Sequence, residues 1–192
     1  MSGADLLATL RVGFAILIAS LALAFFTPGA FAVMLLAFVL AVGTDIVGAL
    51  LARRDETPYG RVLDSLADKA LVYGVLVPMA QSGFPPVFLL LPLIARDAVA
   101  VAVQVVAARQ GTALRVGRMG RLKTAILYFG CAALLSLAWL QSGSGPVTID
   151  PGDLGTILSF LALSQLAIVV GMVLSFLTLY RYIVTLRSSR AR

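Results

Sequence analysis

The 192-residue sequence contains no histidine and a single cysteine. The first absence removes zinc sites built on imidazole, Ser-His-Asp catalysis and histidine proton relays together. The second excludes a disulfide within the chain, and Cys131 sits inside an apolar stretch. Charge is scarce as well: Asp, Glu, Lys and Arg make up 12% of the residues, against a hydrophobic share of 60%. Soluble domains carry about a quarter charged residues, so composition alone excludes that class. The net charge of +6 reads as a membrane-surface and topology signature, and no nucleic-acid partner is expected.

What the chain does have is long apolar runs. A helical crossing of a bilayer needs about 20 apolar residues. Six such stretches are visible, at roughly 6–27, 31–52, 62–82, 86–108, 122–142 and 154–180. Little chain remains between them, so residues 1–192 are expected to form one all-α integral membrane domain of six transmembrane helices. Basic residues gather at Arg53, Arg54 and Arg61, then at Arg109, Arg115, Arg118, Arg121 and Lys123, and again at Arg181, Arg187, Arg190 and Arg192. The connections at 27–30, 82–86 and 142–153 hold no Lys or Arg, which places both termini and the basic loops in the cytoplasm. Ala30-Phe31-Ala32 does not read as a signal cleavage site, because the preceding apolar run is too long and another span follows at once.

Pro28-Gly29, Gly83-Phe84-Pro85-Pro86 and the stretch from Gln141 to Pro146 break the chain into antiparallel hairpins. Spans two and three share a short loop and are expected to be packing neighbours. The connection from Arg109 to Arg121 is the longest basic one and suits the membrane surface. Abundant Gly and Ala within the spans point to close helix packing, and Pro78 and Pro92 to kinks.

A carboxylate within a transmembrane helix is costly, about 2.5–3.5 kcal/mol for Asp at the centre on insertion scales. Here Asp45 lies in span two, Asp64 and Asp68 open span three, and Asp97 lies in span four. At 1.5 Å per residue Asp45 is about 12 Å in from the Arg53 end of its helix, and Asp64 and Asp68 are about 6 and 12 Å in from the same side. Asp64 and Asp68 are four apart and share a helix face. Three carboxylates can therefore converge near the cytoplasmic interface. Unaided they would repel one another, and a divalent cation resolves the repulsion. Oxygen-only ligands suit Mg²⁺, Mn²⁺ or Ca²⁺, and such a site suits a diphosphate-bearing substrate. The other origin of Asp64 and Asp68 is a helix start, where Asp is well tolerated.

At these residues the sequence resembles the CDP-alcohol phosphatidyltransferase family, whose pattern is D-x2-D-G-x2-A-R, a spacer, then G-x3-D-x3-D. Asp45, Ala52, Arg53, Gly60, Asp64 and Asp68 match. Leu6 to Arg11 is similar to the family's N-terminal N-x-L-T-x-x-R segment, with Asp5 in place of Asn. Arg96-Asp97 resembles an Arg-acid pair in the fourth span of phosphatidylglycerophosphate and cardiolipin synthases, and Gly120 to Thr124 their G-K-x-K-T segment. The departures are Gly48 for the second Asp, Ala49 for the following Gly, a shorter spacer, and Gln104 where glycerophosphate-using relatives carry a second Arg.

The resemblance implies a six-helix fold, usually a homodimer, and transfer of a phosphatidyl group from CDP-diacylglycerol to an alcohol with release of CMP. It implies Asp45, Asp64 and Asp68 as ligands of Mg²⁺ or Mn²⁺, with Asp68 also the general base. Asp45, Ala52, Arg53 and Gly60 would contact the CDP moiety, Arg53 through a phosphate. Arg96, Arg115, Arg118 and Lys123 would bind an acceptor phosphate; for the loop arginines a topological role is the alternative, and for Arg96 an ion pair with Asp45 or Asp97. Glycerol-3-phosphate is the expected acceptor, with phosphatidylglycerol the alternative. Two readings from other classes stay open: a lipid- or protein-binding member of the family without catalysis, and a transporter using Asp45 and Asp97, which no internal repeat supports. Membrane lipids are expected partners, and a compact chain without a transit peptide points to a bacterial inner membrane.

Overall fold

The computed structural model describes residues 3–24, 27–51, 58–81, 87–109, 118–141 and 154–190; side chains at 3–5, 28, 48–51, 58–61, 108, 118–119, 154, 156, 182 and 185–190 lie outside the description. Six helices account for nearly all of it: α1 (Gly3–Ala24), α2 (Pro28–Leu51), α3 (Pro58–Ala80), α4 (Val87–Arg109), α5 (Arg118–Gln141) and α6 (Leu154–Arg190). Each of the six apolar stretches read from the sequence overlaps one of these helices. Five are long and apolar enough to cross a bilayer, and large apolar side chains such as Leu36, Phe88 and Leu158 face outward, as a hydrocarbon solvent requires. The remaining helix, α3, spans 23 residues, about 34 Å at 1.5 Å per residue, but carries Asp64, Asp68 and Lys69. Its two carboxylates are met by Arg11 of α1, and Lys69 bonds back to Ser65 of its own helix. The protein is thus an all-helical membrane bundle.

Local chemistry sets the helix ends. Thr27 precedes Pro28, whose fixed φ and missing N–H suit the first helical position, and the Thr27 carbonyl accepts from the Ala30 amide at 3.0 Å. At the far end of α3 the Gln81 amide donates to the Pro78 carbonyl at 3.1 Å. Hydroxyls inside the bundle bond back to their own helices: Thr44 to the Ala41 carbonyl, Ser164 to Leu161 and Thr178 to Leu174, at 2.7–2.9 Å. No water is available in the bilayer core for this task.

The three hairpins broken at Pro28-Gly29, at 83–86 and at 142–153 do bring their helices together, as α1 with α2, α3 with α4 and α5 with α6. The expectation for α2 and α3 is corrected. Among the described residues they make at most marginal contact, whereas α1 packs on both and α5 also touches both. A connecting loop joins ends but does not dictate which faces meet, and α1 supplies the better surface. Its small residues allow a very close approach to α3: a Cβ at Gly74 would lie 2.8 Å from the Ala15 carbonyl oxygen. A similar closeness joins α5 and α6, where a Cβ at Gly171 would meet Leu127 at 2.7 Å. Between these pairs lies an apolar core that includes Ile18, Met34, Phe38, Leu71, Leu76 and Leu135.

Candidate active site

Because α1 lies against both α2 and α3, it brings its one basic residue, Arg11, to the carboxylates that those helices carry. The Arg11 side chain is 1% exposed. Its Nη1 lies 3.2 Å from Asp45 Oδ1 and 3.1 Å from Asp64 Oδ1, and it also donates to Asp68 Oδ1 at close range. One oxygen from each of Asp45, Asp64 and Asp68 lies within 4.8 Å of the others. The convergence expected from the spacing is therefore present, but with a guanidinium at its focus that the sequence reading had not placed there. Asp64 is 53% exposed and forms the mouth of the site, while Asp45 and Asp68 are more enclosed. From α5, Tyr128 donates to the same Oδ1 of Asp68 at 2.9 Å, with its ring edge-on to Phe38 at 5.8 Å.

The donor set fits a hard divalent cation. Three carboxylates, each offering an oxygen within 4.8 Å of the others, are the hard oxygen donors that Mg²⁺ or Mn²⁺ takes. Three carboxylates and one guanidinium also leave a local charge of −3 + 1 = −2, which a divalent ion cancels.

A second polar cluster lies on α3, α4 and α5. Arg96, 3% exposed, donates through Nη1 to Asp97 Oδ1, so of Asp45 and Asp97 it is Asp97 that pairs with it among the described residues. Tyr73 donates to Asp97 Oδ2 at 2.9 Å. The Arg96 Nε and Nη2 atoms are buried without a hydrogen-bond partner among the described residues. Lys123 interacts electrostatically with Asp97, Arg96, Lys69 and Asp68, and Lys69 with Asp97, Asp68 and Arg96. The Lys69 ammonium donates to the Ser65 carbonyl at 3.0 Å and to its hydroxyl at 2.5 Å. Arg96 contacts Asp97 and the two lysines interact with it electrostatically, so the four side chains sum to +3 − 1 = +2.

Ala52, Arg53 and Arg115 lie outside the described residues. Gly48, Ala49, Gly60 and Arg118 lie in helices, but their side-chain surroundings are outside the description. Gln104 is in α4 with a buried carbonyl oxygen that has no partner among the described residues. The sequence reading missed Arg11, Tyr128, Lys69 and Tyr73 as site residues. Arg11 had a legible signal, since it is the sole basic residue of the first two helices and intramembrane charges need partners. Tyr128 had none, because its pairing depends on how α5 is turned toward α3.

Residues 1–177 match the family profile described as CDP-alcohol phosphatidyltransferase. A relative from Bacillus subtilis (strain 168), named CDP-diacylglycerol–glycerol-3-phosphate 3-phosphatidyltransferase, is 31% identical over 100 residues, which cover 51% of this chain and 52% of the relative. The chain thus spans about half the length of the curated relative it matches. With the match to the family profile extending over all six helices, into the last of them, the chain belongs to the CDP-alcohol phosphatidyltransferase family.

Proposed function

We propose that the protein is a phosphatidyltransferase of phospholipid biosynthesis, moving the phosphatidyl group of CDP-diacylglycerol to glycerol-3-phosphate and releasing CMP. The observation that carries this reading is the meeting of Asp45, Asp64 and Asp68 within 4.8 Å of one another behind an exposed mouth. These three carboxylates would hold Mg²⁺ or Mn²⁺. When bound, the ion supplies positive charge to the diphosphate of the lipid donor and to the departing CMP. Ala52, Arg53 and Gly60 belong to the same proposal as contacts to the CDP moiety.

In the transfer, the acceptor hydroxyl oxygen bonds to the phosphatidyl phosphorus, the bond from that phosphorus to CMP breaks, and the hydroxyl proton passes to Asp68. Asp68 suits this role because Arg11 and Tyr128 both hold its Oδ1, fixing the orientation of the carboxylate. The cluster around Asp97 favours glycerol-3-phosphate over phosphatidylglycerol. Its charge of +2 matches a phosphomonoester, which carries about −1.5 to −2 at neutral pH, better than a phosphodiester with a single charge. Arg96 Nε and Nη2, buried and unpartnered among the described residues, are suited to such an anion, with Lys123 and Lys69 beside them. Arg115 and Arg118 remain part of the proposed acceptor site. A bacterial inner membrane, cytoplasmic termini and a homodimer complete the proposal; the uncharged outer connections support the orientation.

The test uses purified protein in detergent with labelled CDP-diacylglycerol and Mg²⁺ or Mn²⁺, screening glycerol-3-phosphate, phosphatidylglycerol, inositol phosphate and serine. CMP release with glycerol-3-phosphate, lost in Asp68→Asn, is expected. Release with phosphatidylglycerol alone would overturn the acceptor assignment, and no release with any acceptor would overturn the transferase.

A further inference from the structure

We propose that Tyr73 is a positioning residue for the acceptor: by holding Asp97 it keeps the two-donor edge of Arg96 open for the phosphate of the incoming alcohol. The inference rests on the reading of the Asp97 cluster as the acceptor phosphate site and adds to it a residue of α3. A guanidinium meets an anion in more than one way. Nη1 can donate alone, whereas Nε and Nη2 point hydrogens along one shared edge and bind two oxygens in parallel. Arg96 uses Nη1 on Asp97 Oδ1. Its Nε and Nη2 are buried and have no partner among the described residues. The donors left over are therefore the bidentate edge itself.

A carboxylate beside an arginine frequently takes that edge, because two charge-assisted hydrogen bonds hold better than one. Asp97 is the neighbouring residue and so the competitor that an acceptor phosphate would face. Its second oxygen is occupied: the Tyr73 hydroxyl donates to Asp97 Oδ2 at 2.9 Å. Tyr73 belongs to α3, not α4, and its ring packs against the apolar core. The hydroxyl is thus anchored from another helix and does not follow Asp97 if the carboxylate turns. With Oδ2 held there, Asp97 meets Arg96 through Nη1 only. It offsets part of the cluster's positive charge without consuming the fork. The lysines do not substitute for that fork, since an ammonium is a point charge and Lys69 already donates to the Ser65 carbonyl and hydroxyl.

The experiment follows CMP release from CDP-diacylglycerol against glycerol-3-phosphate concentration, using the full chain in detergent. Wild type, Tyr73→Phe, Asp97→Asn and the double variant are compared, each with thermal melting. Tyr73→Phe keeps the ring and releases Asp97 Oδ2. Its KM for glycerol-3-phosphate is expected to rise about tenfold, the scale of one hydrogen bond to a charged group. Its kcat and its KM for CDP-diacylglycerol should stay within about twofold of wild type. Asp97→Asn removes the charge that competes for the edge, so KM for glycerol-3-phosphate should fall below wild type although the melting temperature drops. In that background the added Tyr73→Phe change should alter KM by less than about threefold, because there is no carboxylate left to restrain. A tyrosine with a merely structural role would have the same effect in both backgrounds. That result, or an unchanged KM in Tyr73→Phe, would overturn the proposal. If Tyr73→Phe does not fold, Asp97→Asn decides: a lower KM supports the proposal and an equal or higher one overturns it. Wild type that releases no CMP with glycerol-3-phosphate would overturn the acceptor reading and this inference with it, whereas an active wild type with the outcomes just named overturns the inference alone.

Discussion

The two polar clusters of this bundle are near mirror images in charge. In the first, Arg11 stands among Asp45, Asp64 and Asp68; in the second, Asp97 stands among Lys69, Arg96 and Lys123. One has a surplus of two negative charges and the other of two positive charges. Arg11 contacts all three acids of the first, whereas Asp97 contacts Arg96 and interacts with the two lysines electrostatically. A cluster of one sign alone would be prohibitive in an apolar bundle, while full pairing would leave nothing for a ligand. In the proposed function, the retained surplus would favour a dication on one side and a phosphomonoester on the other. α3 joins the two, because Asp68 belongs to the first and the next residue, Lys69, interacts with the second.

Changes that separate the two clusters should have separable effects. The largest is expected from Asp68→Asn, with turnover falling by about 10²–10⁴-fold as the proposed general base is lost. CMP release measures it, and a variant within tenfold of wild type would mean that the acidic cluster is not the chemical one. Arg96→Lys should act on the other side. It keeps the charge but loses the planar fork, and should raise KM for glycerol-3-phosphate by about 10- to 100-fold, the worth of a hydrogen bond to a charged group. KM for CDP-diacylglycerol should stay nearly constant; a rise in that constant instead would merge the two sites.

Gly74→Ala tests the scaffold of the acidic cluster alone. Its new methyl meets backbone rather than a movable side chain, so about 1–3 kcal/mol of stability should be lost, seen in detergent melting. KM for glycerol-3-phosphate should not move with it. The smallest effect belongs to Tyr128→Phe, which removes one hydrogen bond to Asp68 and keeps the ring against Phe38. About 1 kcal/mol corresponds to a drop of roughly fivefold in kcat with KM unchanged. A change in KM for glycerol-3-phosphate instead would assign Tyr128 to the other cluster.

The helices were legible in the sequence because a bilayer imposes length: every expected span overlaps its helix, from α1 at Gly3–Ala24 to α6 at Leu154–Arg190. The acidic site was legible because Asp64 and Asp68 are one turn apart and Asp45 lies at a similar depth. Packing was less so. Loop length pointed to α2 and α3 as neighbours, but the contacts go through α1, whose small residues permit a closer approach. That error concealed Arg11, which reaches the acids because α1 touches both of their helices. The second cluster was half visible: Arg96 and Lys123 were named, whereas Lys69 and Tyr73 depend on how α3 is rotated, which apolar periodicity reports poorly in a helix surrounded by apolar neighbours.

The close approach of α1 and α3 also bears on the surrounding lipid. Bilayers of different thickness are accommodated by tilting helices, at a cost of fractions of a kcal/mol per Å of mismatch. Where side chains fill the space between two helices, such tilting can open or close the gap. Gly74 puts no side chain between its own backbone and the Ala15 carbonyl, and such a contact favours the two helices tilting together. The spacing between Arg11 and the carboxylates of α3 is thereby insulated from membrane thickness, a useful property in a protein whose proposed product alters the membrane in which it sits.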